Sequence, residues 1–227
     1  MTNPLKHKYF VRRASCIVAL SVFFGCGGKK KADEKPTPEP LPPTAPLPTA
    51  GLAGQRVALT PLELVGAEDT IHLDQLVADR RNTLTKADSI IGAFIGARAP
   101  EVTWVGPPEL RHIARRAAGI VADPDQMGTP FLRATNIIDV PDPLRYQLRT
   151  LMGLVGGRYA LIPAGLVFRR PTGLPPGSPP IIRAELSVVM VDSRTGHVGW
   201  RTIARADGED PWTALTRAVK ALTPGLP

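Results

Sequence analysis

Residues 181–206, IIRAELSVVMVDSRTGHVGWRTIARA, decide the fold. Ala184, Leu186, Val188 and Met190 alternate with Arg183, Glu185 and Ser187, the period-two pattern of a strand with one face inward. SRTG then breaks the pattern. Asp192 and Ser193 can bond their own backbone in a turn, and Gly196 supplies a positive φ. HVGWRTIARA, 197–206, runs back, so a β-hairpin is expected. Asp192 and Gly196 are therefore structural turn residues, and Trp200 is a packing residue on the returning strand.

Working outward, Asp210-Pro211 caps a last helix carrying Trp212, Leu215, Val219 and Leu222. Upstream, YALIPAGLVF, 159–168, reads as a strand whose Pro163 demands an edge position or a bulge. Before it, Asp142-Pro143 predicts a helix start with Asp142 as the N-cap. Leu144, Leu148, Leu151, Met152 and Val155 form its apolar stripe, and Gly156-Gly157 end it. Residues 120–141 are irregular. Pro107-Pro108 opens a helix with Leu110, Ile113, Ala114 and Ala117 on one face, stopped at Gly119.

EVTWV, 101–105, is a short strand. Residues 73–98 show near-3.6 spacing through Leu73, Leu76, Val77, Leu84, Ala87, Ile91, Phe94 and Ile95, for one long helix or two in succession. RVALTPLELV, 56–65, is a buried strand interrupted at Pro61. Early helices separate strands and a hairpin closes the chain. The expected class is α/β (α+β): a mixed sheet of about five strands with helices packed on it, a C-terminal β-hairpin and a closing helix.

The stretch GGRYALIPAGLVF, then AELSVVMVDSRTGHVGWRTIARADG, then PWTALTRAVKAL resembles the envelope α/β domains of the amino-terminal TolB type, of the curli-secretion lipoprotein CsgG and of the activator LpoB. The matching residues are Gly156, Gly157, Arg158 and Tyr159, followed by Val191, Asp192, Thr195, Gly196, Val198 and Trp200. RVALTPLELV resembles the opening strand of those domains. The resemblance covers about residues 55–222 and rests on structural motifs. It implies an envelope domain that works by binding a protein partner.

Motifs of catalysis are missing from the chain. It has no GxSxG elbow, no GxGxxG and no phosphate loop. His72, His112 and His197 fall in different elements and form no metal pair, so no metal and no cofactor is expected. Asp123 and Asp125 flank a proline, a pattern expected to cap turns. Arg111, Arg115 and Arg116 line the polar side of the 108–119 helix, expected as a solvated face, with an anionic partner as the alternative.

The amino terminus reads as an address. Lys6, Lys8, Arg12 and Arg13 precede an apolar run of 11 residues, Ala14 to Phe24. A membrane span needs roughly 20 residues; a signal peptide's apolar region needs roughly 7–15. Gly25-Cys26 after that run resembles a bacterial lipobox, which implies cleavage between Gly25 and Cys26 and lipidation of Cys26. Gly27, where retained lipoproteins often carry aspartate, favours the outer membrane. Seven prolines from Pro36 to Pro48 make an extended tether.

The expected organisation is a signal peptide over 1–25, a lipidated cysteine and proline-rich tether over 26–54, and one α/β domain over 55–227. The net charge of +8 is mostly terminal: residues 1–31 hold seven of the 28 basic residues and no acid, leaving 21 basic against 20 acidic. A balanced domain lacks the clustered basic face that nucleic acid requires. The expected function is non-enzymatic: a lipid-anchored protein at the periplasmic face of the outer membrane, binding an envelope protein as an assembly or regulatory factor. An oligomeric secretion component of the curli type and a small-molecule or glycan-binding module are the alternatives. The oligomeric state is open.

Overall fold

The structure, a computed structural model, describes residues 42–173 and 181–224. The expected signal segment, Cys26 and the tether through Leu41 lie outside the described residues, as does most of the 171–180 loop. The chain divides into units Met1–Glu39 and Pro40–Pro227, and the fold belongs to the second.

Six strands form one mixed sheet: β1 (Arg56–Leu59), β2 (Val65–Ala67), β3 (Thr103–Val105), β4 (Tyr159–Arg169), β5 (Ile182–Asp192) and β6 (Val198–Gly208). Their order is β3-β1-β4-β5-β6, with β2 also paired to β4. β1 runs parallel to β3 and β4, and β4, β5 and β6 form an antiparallel meander. The sixth strand arises because RVALTPLELV breaks around Pro61, so β1 and β2 lie in succession along one flank of β4. β4 is central, and its proline is absorbed by a register slip between Pro163 and Gly165.

The helices are α1 (Asp74–Ala78), α2 (Arg80–Arg98), α3 (Pro107–Arg116), α4 (Leu144–Val155) and α5 (Pro211–Ala221). The 73–98 periodicity thus resolves into two helices joined at Asp79. Helices α2 and α5 cover one sheet face, packing Ile91, Ile95, Leu215 and Val219 with Val57, Leu161, Phe168, Leu186 and Val188. Helices α3 and α4 and the 121–140 segment cover the other, packing Leu110, Leu148 and Leu151 with Ala58, Ala160, Ile162, Val189 and Val191. Each large aliphatic side chain buried this way contributes about 1.5–3 kcal/mol. Because helices cover both faces, β5 is buried on both sides from Leu186 onward, Ser187 included. The expected polar side of that strand survives only at Arg183 and Glu185.

The two Asp-Pro helix starts divide into one expected and one corrected. Asp210 caps α5, its carboxylate accepting the N–H groups of Trp212 at 2.9 Å and Thr213 at 3.1 Å. Asp142 does not cap α4. Pro143 holds the N-cap position, and the Asp142 carboxylate instead accepts from Arg145 Nη2 at 2.9 Å.

The folded part begins before residue 55. Leu47 and Leu52 are buried with the α2–α5 core, two apolar anchors inside the proline-rich stretch. The Leu47 N–H donates to the Leu222 carbonyl, and the Ala45 N–H to Thr202 Oγ1, each at 2.8 Å. Thr44 Oγ1 lies against the outer edge of β6, donating to the Ile203 carbonyl and accepting from the Arg205 N–H. Further along that edge, the Val198 N–H donates to the Ile138 carbonyl.

Candidate functional site

Strands β1 and β3 are neighbours and parallel, yet the chain leaves them for opposite faces, α2 after β1 and α3 after β3. Such a divergence opens a crevice at the carboxyl ends of the strands, where α/β sheets hold their ligands. Here the space is about 1000 Å³, lined by Glu63, Arg80, Arg81, Thr85, Arg111 and Arg115 among others.

Several of its polar groups are hydrogen-bonded to neighbouring elements. Asp88 of α2 is only 5 % exposed. Its Oδ1 accepts the Leu62 N–H at 2.8 Å, and its Oδ2 accepts from Arg111 Nη2 at 2.6 Å. Arg111 also grips Asp125 through Nε at 2.8 Å and Nη2 at 2.7 Å. Burial pushes the Asp88 carboxyl above its ordinary value, against the Leu62 N–H and Arg111, which pull it down. The Arg111 guanidinium is raised, first by its hydrogen bond to Asp125. Glu63 is buried and accepts from the Gly128 N–H, the Thr129 N–H and the Thr129 hydroxyl, pinning the 121–140 segment. Arg80 donates to the Glu63 carbonyl. Carboxylates committed in this way fasten loops and helices together.

Asp123 and Asp125 are brought close, but Asp123 Oδ1 accepts the Asp125 N–H as a turn cap and Asp125 serves Arg111. Arg111 is half-buried and paired, contrary to the expected solvated face, because Asp88 draws it inward; Arg115 and Arg116 are exposed. His72, His112 and His197 stay apart, with His197 Nδ1 3.2 Å from Asp139 Oδ1. Among the described residues, no group of three or more His, Cys, Asp and Glu is placed to hold a metal, and no helix is long and apolar enough to cross a membrane.

Asp192 shapes the hairpin turn. Its Oδ1 accepts the Arg194 N–H, its carbonyl accepts the Gly196 N–H, and its Oδ2 pairs with Arg158. Gly196 takes φ +83°. The Arg158 guanidinium holds the Asp192 carboxyl below its ordinary value.

The sequence reading missed Asp88 and Glu63. Both had a signal: Asp88 lies on the stripe of Leu84, Ile91 and Ile95, and Glu63 interrupts the apolar run Leu62 to Val65.

A second feature is apolar and outward. Ile120 is 69 % exposed, Ile138 64 % and Tyr146 65 %, and Phe131 and Leu154 are also exposed. All five belong to the layer of α3, α4 and their connection. Tyr146 and Leu154 stand eight residues apart on α4, two turns along one face, while Leu144, Leu148, Leu151, Met152 and Val155 fill the buried face.

No family model matches the chain, and no curated protein matches it. Solved structures do. The LpoB C-terminal domain from Salmonella enterica matches at 12% identity with a TM-score of 0.34, covering 70% of this chain and 84% of that one. A PelC dodecamer from Paraburkholderia phytofirmans matches at 12% identity with a TM-score of 0.35, covering 80% and 94%. The lipoprotein GNA1162 from Neisseria meningitidis matches at 13% identity with a TM-score of 0.32, covering 68% and 81%. Similarity at these values assigns the chain to no family.

Proposed function

We propose that this chain is a lipid-anchored envelope protein that acts without catalysis, presenting its α/β domain to a partner protein at the periplasmic face of the outer membrane. The observation that carries the reading is the exposed apolar set on the α3–α4 layer. A helix that buries five side chains inward yet keeps Tyr146 and Leu154 in solvent has surface to spare for a second protein. Tyrosine beside Arg145 is the composition of protein interfaces, where aromatic and arginine side chains carry the binding energy. The lipobox-like Gly25-Cys26 and the tether supply the anchor.

The test is crosslinking in cells that express the full-length chain, wild type against Tyr146→Glu with Leu154→Glu. The expected result is a crosslinked envelope protein that the paired substitution removes while the thermal midpoint of the domain is unchanged. An identical crosslinking pattern in the variant overturns the reading. Cys26→Ser is expected to abolish acyl labelling and membrane retention; a variant still labelled and still in the membrane fraction overturns the anchor.

A further inference from the structure

A second cleft, about 570 Å³, lies at the other end of the sheet, where β1 and β4 begin. Four arginines line it: Arg56 at the start of β1, Arg149 on α4, Arg158 before β4 and Arg194 in the hairpin turn. Among the described residues, none of those lining it is acidic. Among the described residues, the one carboxylate bonded to any of the four side chains is Asp192, whose Oδ2 accepts from Arg158 Nε and Nη2.

Part of this charge has a structural use. The carbonyl end of α4 points here, and Arg56 Nη1 donates to the Val155 carbonyl at 3.0 Å, which suits a cation at a helix C-terminus. Arg149 Nη2 donates to the Arg194 carbonyl, a single neutral contact. The Arg194 guanidinium makes no hydrogen bond or ion pair among the described residues. Four guanidinium groups against one carboxylate and the roughly half negative charge of the α4 carbonyl end leave between two and three positive charges facing one concave space. At a protein surface such charges repel one another by a few kcal/mol at close range unless an anion joins them. Gly153, Gly156 and Gly157 form the wall between them, so a ligand meets backbone and not side chain there.

We propose that this cleft binds a phosphate-bearing ligand of two or more negative charges, a diphosphate or a phosphomonoester. Guanidinium forks match phosphate oxygens two at a time. A phosphomonoester brings about −1.5 to −2 charges where a carboxylate brings one, so one such group answers most of that surplus. Arg194 and Arg149 are the principal ligands, Arg56 closes the site, and Arg158 stays tied to Asp192. The site is separate from the apolar face and from the anchor.

The test uses the full-length chain carrying Cys26→Ser, titrated calorimetrically with sodium pyrophosphate. A second arm uses phosphatidylcholine vesicles with and without phosphatidic acid. Saturable pyrophosphate binding supports a free oligophosphate. Binding that depends on phosphatidic acid and is lost in Arg149→Gln/Arg194→Gln supports a lipid headgroup. In either case Arg194→Gln is expected to weaken binding about tenfold, the loss of one charge-assisted contact, and Arg116→Gln to leave it unchanged. Among the described residues the Arg194 guanidinium has no partner, so its substitution removes no contact of the folded domain. No pyrophosphate heat together with no phosphatidic-acid dependence overturns the proposal, as does unweakened binding in Arg149→Gln/Arg194→Gln.

Discussion

Asp88 and Arg111 join helices that lie on opposite faces of the sheet, the carboxylate of α2 accepting from the guanidinium of α3 at 2.6 Å. The bond closes over the carboxyl ends of β1 and β3. Removing the cation strands a buried acid. Arg111→Met is expected to lower unfolding free energy by about 2 kcal/mol, less than a fully buried pair costs because Arg111 is part-exposed. Asp88→Asn keeps an acceptor for the Leu62 N–H and is expected to cost about 1 kcal/mol. Urea denaturation of both variants gives the order.

The same acid has a pH signature. Burial raises the folded Asp88 carboxyl above 3.8. Between 3.8 and that higher folded value the native state holds a proton the unfolded chain has lost, so this residue's contribution to stability falls as pH rises. Arg111→Met removes an opposing cation and widens the window. Stability measured across acidic pH is expected to fall more steeply in that variant than in the wild type.

Asp210 has the opposite sign. The Thr213 hydroxyl and N–H hold its carboxyl below 3.8. Its stabilisation is therefore present above 3.8 and lost as pH falls through the folded value. Asp210→Ala is expected to cost about 1 kcal/mol at neutral pH through the lost cap. The gap between variant and wild type is expected to close in acid, read from thermal midpoints at stepped pH.

Two glycines of β6 separate close approach from open space. A Cβ on Gly208 would meet Ala214 N at 2.4 Å and Ala214 Cα at 2.9 Å, the backbone of α5. A Cβ on Gly199 would meet nothing within 4 Å. Gly208→Ala is expected to destabilise by about 3 kcal/mol and Gly199→Ala to stay within about 0.5 kcal/mol, both by chemical denaturation.

Helix α4 offers a similar contrast with one substitution. Leu148 is fully buried and Leu154 is half exposed. Leu148→Ala is expected to cost about 3 kcal/mol, and Leu154→Ala within about 0.5 kcal/mol. A large loss at Leu154 would mean that its surface serves the fold, which the proposed docking face excludes.

The architecture was legible where pattern is local. The turn from Asp192 to Gly196, the Asp210 cap and the stripe from Leu144 to Val155 depend on neighbours within a few residues, and each stands in the structure. Asp142 misled because Arg145, three residues on, competes for the same carboxylate. The break at Pro61 announced an interruption, but only the length of β4 shows that both halves become strands. The candidate sites were hidden for a different reason. Asp88 and Arg111 are 23 residues apart, and the four cleft arginines come from four elements. No spacing rule joins residues that meet only when β1, β4 and the hairpin turn share an end of the sheet.

The covering of β6 limits how this domain recruits anything. Thr44 and Ile138 interrupt that edge by taking the Ile203 carbonyl, the Arg205 N–H and the Val198 N–H, and the other flank ends in β2 and β3, three residues each. Adding a partner's strand to the sheet, a common way to capture an extended peptide, has no long free template here. The proposed docking therefore rests on side chains, and point substitutions on the surface, not competition by generic β-strand peptides, are expected to silence it.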